Sequence, residues 1–394
     1  VLYCRTHIAD KVIDYMEKNR EIVLLIEKKF SSHNSQFYLP LGKLLITSKS
    51  GLKPRKYKRQ LDLKTAVHKV TYTLGGKCVE SEAFVSAPAD VFVMKTKSEG
   101  ILPDYSYTIT NVVKHDVTTD GEFLILKGLC PSEITDDGED VYLEGKKKGM
   151  EFCAAVKFVT DGEVKFNKNN VSISGAKEIT IILGADDSFK KWNEVPDKEY
   201  FEPCKAKVRA AAEVKYETLK AEHIKDYQSL YNRVSLDLGE SNKENTVTSS
   251  RLLQFLRCKN DIELYTLLFN FGRYLAISAS REGSQAMTLQ GIWTYKKVSP
   301  WRSNYTVNIN TEMNYWPLLA CNLPELCKPL NSFVEELAES GKETAKRLYG
   351  ARGFTCHHNV DLWRMTNPVQ GCAQWLFWNM AGAWFTRHLY EYYE

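Results

Sequence analysis

The sequence lacks several features that would assign it to a class at once. No apolar run approaches the about 18 residues that a membrane-spanning helix needs, so no membrane partner is expected. Its ten cysteines form no CxxC pair and no cluster, which is typical of reduced, buried thiols. Neither sign of charge dominates, because 53 basic and 49 acidic residues give a formal net charge of +4. This balance gives no sign of a nucleic-acid-binding surface.

The sequence also lacks an initiator methionine and a recognisable signal peptide. It starts at Val1 and stops at Glu394 within a helical pattern, so we expect both ends of the protein to be missing. The dispersed cysteines favour a reducing, cytoplasmic compartment. Secretion stays open, because a leader would precede Val1.

The first half of the chain has the pattern of an antiparallel β domain. Alternating apolar and polar runs flank the Gly75-Gly76 dipeptide, which is a strong hairpin signal, and another pair of runs flanks Asp161-Gly162. A further strand is predicted over residues 178–183, ending at Gly184. Many strands joined by short Gly, Asn and Asp turns predict a β-sandwich, which we place at residues 1–190.

Helical patterns dominate the rest of the chain. A connecting helix is predicted over residues 205–231, which are rich in Ala, Lys and Glu, and a loop over the polar residues 241–250. We therefore place a helical linker at residues 191–250. A helix-like stretch also occurs within residues 1–30, before the β domain.

Three helical patterns follow the linker. Asn260 and Glu263 predict a capping pair before an apolar stripe that runs from 264 to 275. Pro329 opens a second helix that ends near Gly350, and residues 371–394 predict a third, aromatic one. Residues 251–394 are thus expected to form the first part of a helical barrel, which makes the fold multidomain, β then α.

The most informative stretch is the polar segment at residues 305–316. Asn308 and Asn310 alternate with β-branched residues, so in an extended segment both amides point to one side. Apolar packing does not require two such amides, so a sugar and a water are expected opposite them. An asparagine ladder that closes a loop is the structural alternative. Glu312 continues the alternation, unless Thr311 caps a helix, the arrangement we favour, which sets Glu312 behind the catalytic groups.

A second polar cluster concentrates six candidate substrate-binding side chains in eight residues. They are His357, His358, Asn359, Asp361, Trp363 and Arg364. Adjacent histidines point apart, so no metal site is expected. Recognition of sugar hydroxyls by Asn359, Asp361 and Arg364 is the favoured interpretation, and a buried structural network is the alternative.

Seven of the eight tryptophans lie after residue 290. Tryptophan faces stack on pyranose rings, and loops carry function on a rigid scaffold, so Trp293, Trp301 and Trp363 are candidate sugar platforms. Trp375 and Trp378 are three residues apart on a predicted helix, a spacing that favours core packing.

These motifs occur together in a known family. The segments LQGIW at 289–293, NINTEMNYWP at 308–317, YGARG at 349–353 and HHNVDLWR at 357–364 resemble glycoside hydrolase family 95, as do YLPLG at 38–42, YKRQLDL at 57–63 and SAP at 86–88. This resemblance covers nearly the whole chain. The family contains inverting exo-α-L-fucosidases and some α-L-galactosidases.

The resemblance implies a β-sandwich, a helical linker and an (α/α)6 catalytic barrel. It implies an enzyme without a cofactor that removes terminal, α-1,2-linked L-fucose from a glycan partner, and it leaves the oligomeric state open. By motif position, Asn308 and Asn310 match the asparagines that orient the attacking water. Thr306 falls where some members carry a bulkier His near the sugar C5 substituent, which leaves room for L-galactose. The general acid and the assisting Asp lie downstream of the region ending at Trp384, so this chain alone is expected to lack hydrolase activity.

Three other functions stay open from the sequence. They are an α-L-galactosidase of the same family, a non-catalytic carbohydrate-binding protein, and an inverting disaccharide phosphorylase of the same architecture. The phosphorylase would need a phosphate site of backbone N–H groups with Ser, Lys or Arg, and no such cluster is recognisable.

Overall fold

A region of antiparallel sheets precedes a helical region in the computed structural model. The structure describes residues 35–394 apart from residues 136, 146, 147, 242, 244, 245 and 370. The helix-like stretch predicted within residues 1–30 lies outside the described residues. The order of sheets before helices confirms the β-then-α organisation.

The β region contains the first fourteen strands of the described chain. They are β1 (Lys43–Ser48), β2 (Arg55–Asp62), β3 (Val67–Leu74), β4 (Lys77–Ser86), β5 (Val91–Ser98), β6 (Tyr105–Thr110), β7 (His115–Thr119), β8 (Leu124–Leu129), β9 (Glu133–Ile134), β10 (Asp140–Val141), β11 (Glu151–Thr160), β12 (Glu163–Phe166), β13 (Val171–Ser174) and β14 (Glu178–Asp187). Eight of them form a sheet in the order β2-β3-β4-β5-β14-β11-β8-β7, and four form a sheet in the order β1-β6-β13-β12.

The two large sheets enclose a shared apolar core. Alternate residues of β6 are buried, as expected for a strand with one face against a core. Tyr107 and Ile173 of the four-stranded sheet belong to the same buried cluster as Leu126, Val156 and Ile181 of the eight-stranded sheet. Burial of these side chains, each worth about 1.5–3 kcal/mol, holds the sheets face to face.

The two predicted hairpins, at Gly75-Gly76 and at Asp161-Gly162, differ in outcome. The Gly75-Gly76 hairpin is confirmed, with both glycines at positive φ between β3 and β4. The runs around Asp161-Gly162 do form strands, but they join different sheets, so the predicted pairing is wrong. The Asp161 carboxylate instead accepts hydrogen bonds from the backbone N–H groups of Lys177 and Glu178, at 2.9 and 3.0 Å.

The strand predicted to end at Gly184 continues to Asp187, so its predicted end is wrong. The glycine serves the packing of the following helix. A Cβ on Gly184 would lie 2.6 Å from Val208, which is closer than real contacts allow. The missing side chain therefore lets a helix pack directly on the sheet.

The helical region contains nine α-helices among the described residues. They are α1 (Phe201–Ala212), α2 (Tyr216–Tyr231), α3 (Thr248–Cys258), α4 (Glu263–Ala279), α5 (Asn310–Tyr315), α6 (Pro317–Ala320), α7 (Lys328–Tyr349), α8 (Ala373–Leu376) and α9 (Ala381–Tyr393). Short 3-10 helices occupy Pro300–Ser303 and Pro324–Cys327, and two short strands, β15 (Tyr305–Thr306) and β16 (Asn359–Val360), pair with each other.

Helices α1 and α2 replace the single connecting helix that the sequence predicted. Helix α1 packs on β11 and β14, and α2 touches both the sheet region and the helical core. Tyr227 of α2 donates a hydrogen bond to the Leu63 carbonyl at 2.9 Å, which ties the linker to the β region. The domain boundaries at 190 and 250 stay a prediction, although α3 already begins within the predicted loop.

The later helices follow the predicted patterns with three differences. Helix α7 ends at Gly350, whose φ of 60° closes it as predicted. Helix α4 has no side-chain cap from Asn260, because Ile262 occupies the N-cap position, and Glu263 forms an ion pair with Arg251. Leu268, in the predicted apolar stripe of α4, is 69 % exposed. Residues 371–394 form two helices, α8 and α9, where one was predicted.

Within the described residues, no helix has the length and apolar character that a bilayer crossing would require.

Candidate functional site

The fold brings the two polar motifs together. Strands β15 and β16 pair antiparallel, so that Thr306 lies opposite Asn359 and Tyr305 opposite Val360. The pairing continues past the strands, because the Val307 N–H donates to the His358 carbonyl at 2.8 Å. Residues about fifty positions apart in sequence therefore line one short ladder.

Asn308 and Asn310 lie just beyond this ladder. Residues 307–309 form a turn and Asn310 is the first residue of α5, so the extended segment assumed from the alternation is wrong. Ile309 causes the break, because its ψ of −49° is incompatible with a strand. Both asparagines are half-buried, and neither side-chain amide forms a hydrogen bond with another described residue.

The helix that we expected after the asparagines is present, but its cap is not the predicted one. Ile309 occupies the N-cap position, and no side chain caps the helix. Thr311 lies inside the first turn, and its buried hydroxyl has no hydrogen-bond partner among the described residues. The favoured capping role of Thr311 is therefore wrong.

Glu312 is the most unusual ionisable group of the site. It is fully buried, and neither carboxylate oxygen has a hydrogen-bond partner in the part of the chain that the structure describes. Burial raises the pKa of Glu312 to about 7. Its backbone carbonyl accepts a hydrogen bond from His388 Nε2 at 3.0 Å, which joins α5 to α9.

His357 is held by the protein on both ring nitrogens. Its Nδ1 lies 2.6 Å from the Thr366 carbonyl, and its Nε2 lies 2.7 Å from the Tyr349 hydroxyl. The Tyr349 ring also stacks on the imidazole. Burial lowers the pKa of His357, which favours the neutral ring. These contacts support a structural role for His357.

Asp361 organises the loop after β16. Its buried carboxylate accepts backbone hydrogen bonds from Gln36, Trp363 and Met365 at 3.0, 3.0 and 3.3 Å. Burial raises the pKa of Asp361, while these backbone N–H groups act in the opposite direction. The contacts support a loop-positioning role, with a link to the start of the described chain.

Arg364 is buried and connects the loop after β16 to helix α7. Its guanidinium pairs with Glu336 of α7 at 2.7 Å and donates to the Gln285 amide oxygen at 2.7 Å. It also donates to the Leu362 carbonyl at 2.9 Å and packs over the Phe333 ring at 4.8 Å. With its donors engaged in this way, Arg364 fits a structural role better than the hydroxyl recognition expected from its neighbours.

His358 and Asn359 differ from these three. His358 Nδ1 and Asn359 Oδ1 are buried and without a hydrogen bond among the described residues. Burial lowers the pKa of His358. The Trp375 ring meets the His358 ring edge-on at 5.2 Å and is itself 39 % exposed. Thr306, His358 and Asn359 are thus the polar residues in and beside the β15–β16 ladder. The Thr306 hydroxyl donates a hydrogen bond to Asn304 Oδ1 at 3.2 Å.

The tryptophans proposed as sugar platforms do not gather at one place. Trp363 contacts Phe189 at 5.5 Å and lines a cavity of about 1300 Å³ between the sheet and helical regions. Trp293 lines a separate cavity of about 480 Å³ beside α4 and α6. Trp301 is 73 % exposed at a positive φ of 47°. Trp375, which we assigned to core packing, is the one in contact with the histidine motif.

Sequence reasoning missed several groups that complete this arrangement. They are Gln36, Gln285, Glu336, Tyr349, Trp375 and His388. Most lie on other helices or loops and carry no local signal. Gly371 was a usable signal, because a Cβ there would lie 1.8 Å from the Trp375 ring. No three His, Cys, Asp or Glu side chains of the described residues gather as a metal site requires.

Comparison with protein families assigns both halves of the chain. Residues 215–394 match the glycosyl hydrolase family 95 catalytic domain, and residues 13–192 match the glycosyl hydrolase family 65 N-terminal domain. A protein of Arabidopsis thaliana named Alpha-L-fucosidase 2 is 32 % identical over 404 residues, covering 96 % of this chain and 47 % of that protein. A Probable alpha-fucosidase A of Aspergillus niger is 29 % identical over 356 residues, covering 86 % of this chain and 43 % of that protein.

The fold also has a solved counterpart. A putative kojibiose phosphorylase from the human microbiome superposes with a TM-score of 0.51 at 12 % identity, over 82 % of this chain and 42 % of that one. At this identity the likeness concerns the fold alone. The chain spans about half the length of the curated relatives that it matches.

Proposed function

The chain belongs to glycoside hydrolase family 95, and from this premise we propose that the whole protein is an exo-α-L-fucosidase acting with inversion. The proposed substrate is a terminal, α-1,2-linked L-fucose of an oligosaccharide or polysaccharide. The helices from α3 onwards are proposed to be part of its (α/α)6 barrel. The relatives' names support the fucoside, and the linkage and stereochemistry are our own extension.

One observation carries the proposal, the juxtaposition of the turn at residues 307–309 with the histidine motif. The pairing of Thr306 with Asn359 brings the unpaired Asn359 Oδ1 and His358 Nδ1 to one end of a ladder, beside the turn that carries Asn308. Such groups have hydrogen-bonding capacity left for an outside molecule. A sugar hydroxyl and a water are molecules of the right kind, since both donate and accept.

In the proposed reaction, Asn308 and Asn310 orient a water on the face of the sugar opposite the leaving oxygen. An amide oxygen is too weak a base to take the proton alone, so a carboxylate must accept it as the water attacks. A second carboxylic acid protonates the leaving oxygen. Both acids are proposed to come from the part of the relatives' length that this chain does not span.

Among the substrate-binding candidates, Thr306, His358 and Asn359 are proposed to contact the sugar. Trp293 and Trp363 are proposed to contact more distant parts of the glycan, since they line separate cavities. His357, Asp361 and Arg364 are proposed to hold the loop that presents the others.

The test is turnover by the full-length protein that contains this chain. We expect release of L-fucose from 2-chloro-4-nitrophenyl α-L-fucoside and from an α-1,2-fucosylated trisaccharide, with the β-anomer seen first by proton NMR. Release of the α-anomer would contradict inversion, and turnover that requires inorganic phosphate would indicate a phosphorylase. Sugar binding without turnover would indicate a carbohydrate-binding protein.

The small side chain at position 306 favours one alternative substrate. Thr306 is buried and its hydroxyl already bonds Asn304, so it occupies little of the space beside the sugar. An α-L-galactoside, which carries one more hydroxyl, is therefore the second candidate. The ratio of kcat/KM on aryl α-L-fucoside and α-L-galactoside decides between them, and a large fucose preference with Thr306 intact would exclude the second.

A further inference from the structure

Buried polar atoms without hydrogen bonds concentrate around α5. Ten buried side-chain N and O atoms of the described residues have no hydrogen-bond partner, and seven of them belong to this neighbourhood. The seven are Thr311 Oγ1, both carboxylate oxygens of Glu312, Thr355 Oγ1, His358 Nδ1, Asn359 Oδ1 and His388 Nδ1. Native proteins pair nearly all buried polar atoms with protein groups or ordered water, so these seven atoms have hydrogen-bonding capacity that the described protein groups leave unfilled.

Glu312 is the one group of this set that can carry a negative charge. It lies in the first turn of α5, two residues after Asn310, and its main chain is anchored by the hydrogen bond from His388. A helix start favours a nearby anion, yet no side chain caps α5 at its N-cap position. The side chain is instead enclosed by the helical core.

The surroundings of Glu312 offer no compensating charge. Cys356, on the loop before β16, lies close enough to feel the charge of its carboxylate, and His388 of α9 contacts its backbone carbonyl. Burial, with a smaller contribution from the Glu312 charge, raises the pKa of Cys356 to about 12, so the thiol stays neutral. No arginine or lysine of the described chain forms an ion pair with Glu312.

An ionised Glu312 would therefore be a buried, uncompensated carboxylate. Such a charge is relieved by reaching water or a cation, and a movement of the first turn of α5, which carries the side chain, would bring it there. Asn310 opens that turn, and Asn308 lies two residues earlier. A movement of this turn would also displace the two asparagines.

We propose that Glu312 is a positioning residue for the turn at residues 308–310, that it works as a neutral carboxyl, and that its ionisation displaces the asparagines and lowers turnover. This proposal deepens the function proposed above and rests on it. It differs from a role as proton donor or acceptor, because Glu312 acts here only through the asparagines.

The experiment compares the full-length protein with its Glu312→Gln variant, in which a neutral amide replaces the carboxyl. We measure kcat and KM on 2-chloro-4-nitrophenyl α-L-fucoside from pH 5 to 9. The native kcat is expected to fall with a midpoint near pH 7, while the variant keeps its activity. At pH 8 the variant should be faster by about tenfold, the factor that one pH unit above the midpoint gives.

Glu339→Gln, on the exposed face of α7, is the matched control and should follow the native profile. Superimposable native and Glu312→Gln profiles would overturn the proposal. So would an equal loss of kcat in Glu312→Gln at every pH, which would show that the carboxyl is needed for another reason.

A second measurement does not depend on activity. Amide hydrogen exchange of peptides covering residues 305–316 is compared between native and Glu312→Gln proteins at the same pH. We expect faster exchange in the native protein at pH 8 and equal exchange at pH 5. If no glycoside is hydrolysed at any pH, the proposed function fails, while equal exchange at both pH values would refute the coupling of Glu312 to the turn.

Discussion

Two groups of polar residues in the loop around β16 differ in how completely their buried polar atoms are hydrogen-bonded. His357, Asp361 and Arg364 are buried and bonded to other parts of the protein. His358 and Asn359, one or two positions away, are buried with atoms that have no hydrogen bond among the described residues. The dense polar motif thus contains one set of side chains bonded to other parts of the protein and one set with unpaired buried atoms.

The comparison teaches that residue type alone does not identify a binding group. An arginine and an aspartate are the obvious candidates for sugar hydroxyls, yet here their contacts within the protein are the most complete. His358 and Asn359 keep free hydrogen-bonding capacity, and the Asn308 and Asn310 amides share this condition, so we count them in the second group. We therefore expect substitutions in the first group to change stability and substitutions in the second to change turnover.

The largest effect is expected at the partnerless amides. Replacing Asn308 or Asn310 with Ala in the full-length protein should lower kcat on an α-L-fucoside by about 10²–10⁴-fold, the range typical of lost acid–base assistance. The melting temperature should hardly change, because neither amide has a partner among the described residues. A loss of stability that matches the loss of activity would erase the distinction between the two groups.

The next largest effect is expected at the buried Arg364. Arg364→Leu should lower the free energy of unfolding by about 3–5 kcal/mol, because Glu336 and Gln285 lose their partner. Urea unfolding measures this change. Arg347→Leu, which breaks an exposed ion pair with Glu343 on α7, is the control and should cost at most about 1 kcal/mol. Equal effects would mean that Arg364 is not the structural residue described above.

A pH-dependent effect is expected at Glu312. Its pKa in the folded protein is about 7, above the ordinary value of 4.5, so the folded state binds more protons than the unfolded state between these values. Its contribution is fully present below about pH 4.5 and is lost as pH rises through 7, by about 3 kcal/mol in total. Glu312→Gln should therefore be more stable than the native protein at pH 8 and equally stable at pH 4.5. The unfolding free energies of both proteins are measured by urea titration at each pH. If they change with pH in parallel, the prediction is refuted.

The smallest effect is expected at the Tyr349 hydroxyl. Tyr349→Phe removes its 2.7 Å contact with His357 Nε2 and should cost about 1 kcal/mol of unfolding free energy. Tyr393→Phe serves as the control, because Tyr393 is 86 % exposed. If Tyr349→Phe lost turnover at unchanged stability, His357 would belong with the groups expected to affect turnover and not with those expected to affect stability.

Local patterns predicted much of the fold. The Gly75-Gly76 hairpin and the helix that ends at Gly350 follow from backbone conformations that only certain residues adopt readily, so short sequence windows carry the signal. The pairing around Asp161-Gly162 failed because two successive strands joined different sheets. That choice depends on the packing of a distant core, which no turn dipeptide encodes.

The candidate site was predictable as a list of residues and not as an arrangement. The two motifs were identified from their composition, and the resemblance to a family supplied roles for Asn308 and Asn310. Their pairing through β15 and β16, and the Trp375 contact with His358, depend on residues far apart in sequence. The burial of Glu312 likewise depends on α9 and on the loop before β16.

The short ladder between the motifs has a consequence for protein engineering. Thr306 and Asn359 are directly opposite each other in a ladder of two residue pairs. A larger side chain at one position is therefore expected to affect the other. Their substitutions should not combine additively, as is usual for residues in contact. A library meant to test the proposed sugar contacts should therefore vary positions 306 and 359 together, because the ladder joins these two distant stretches of sequence.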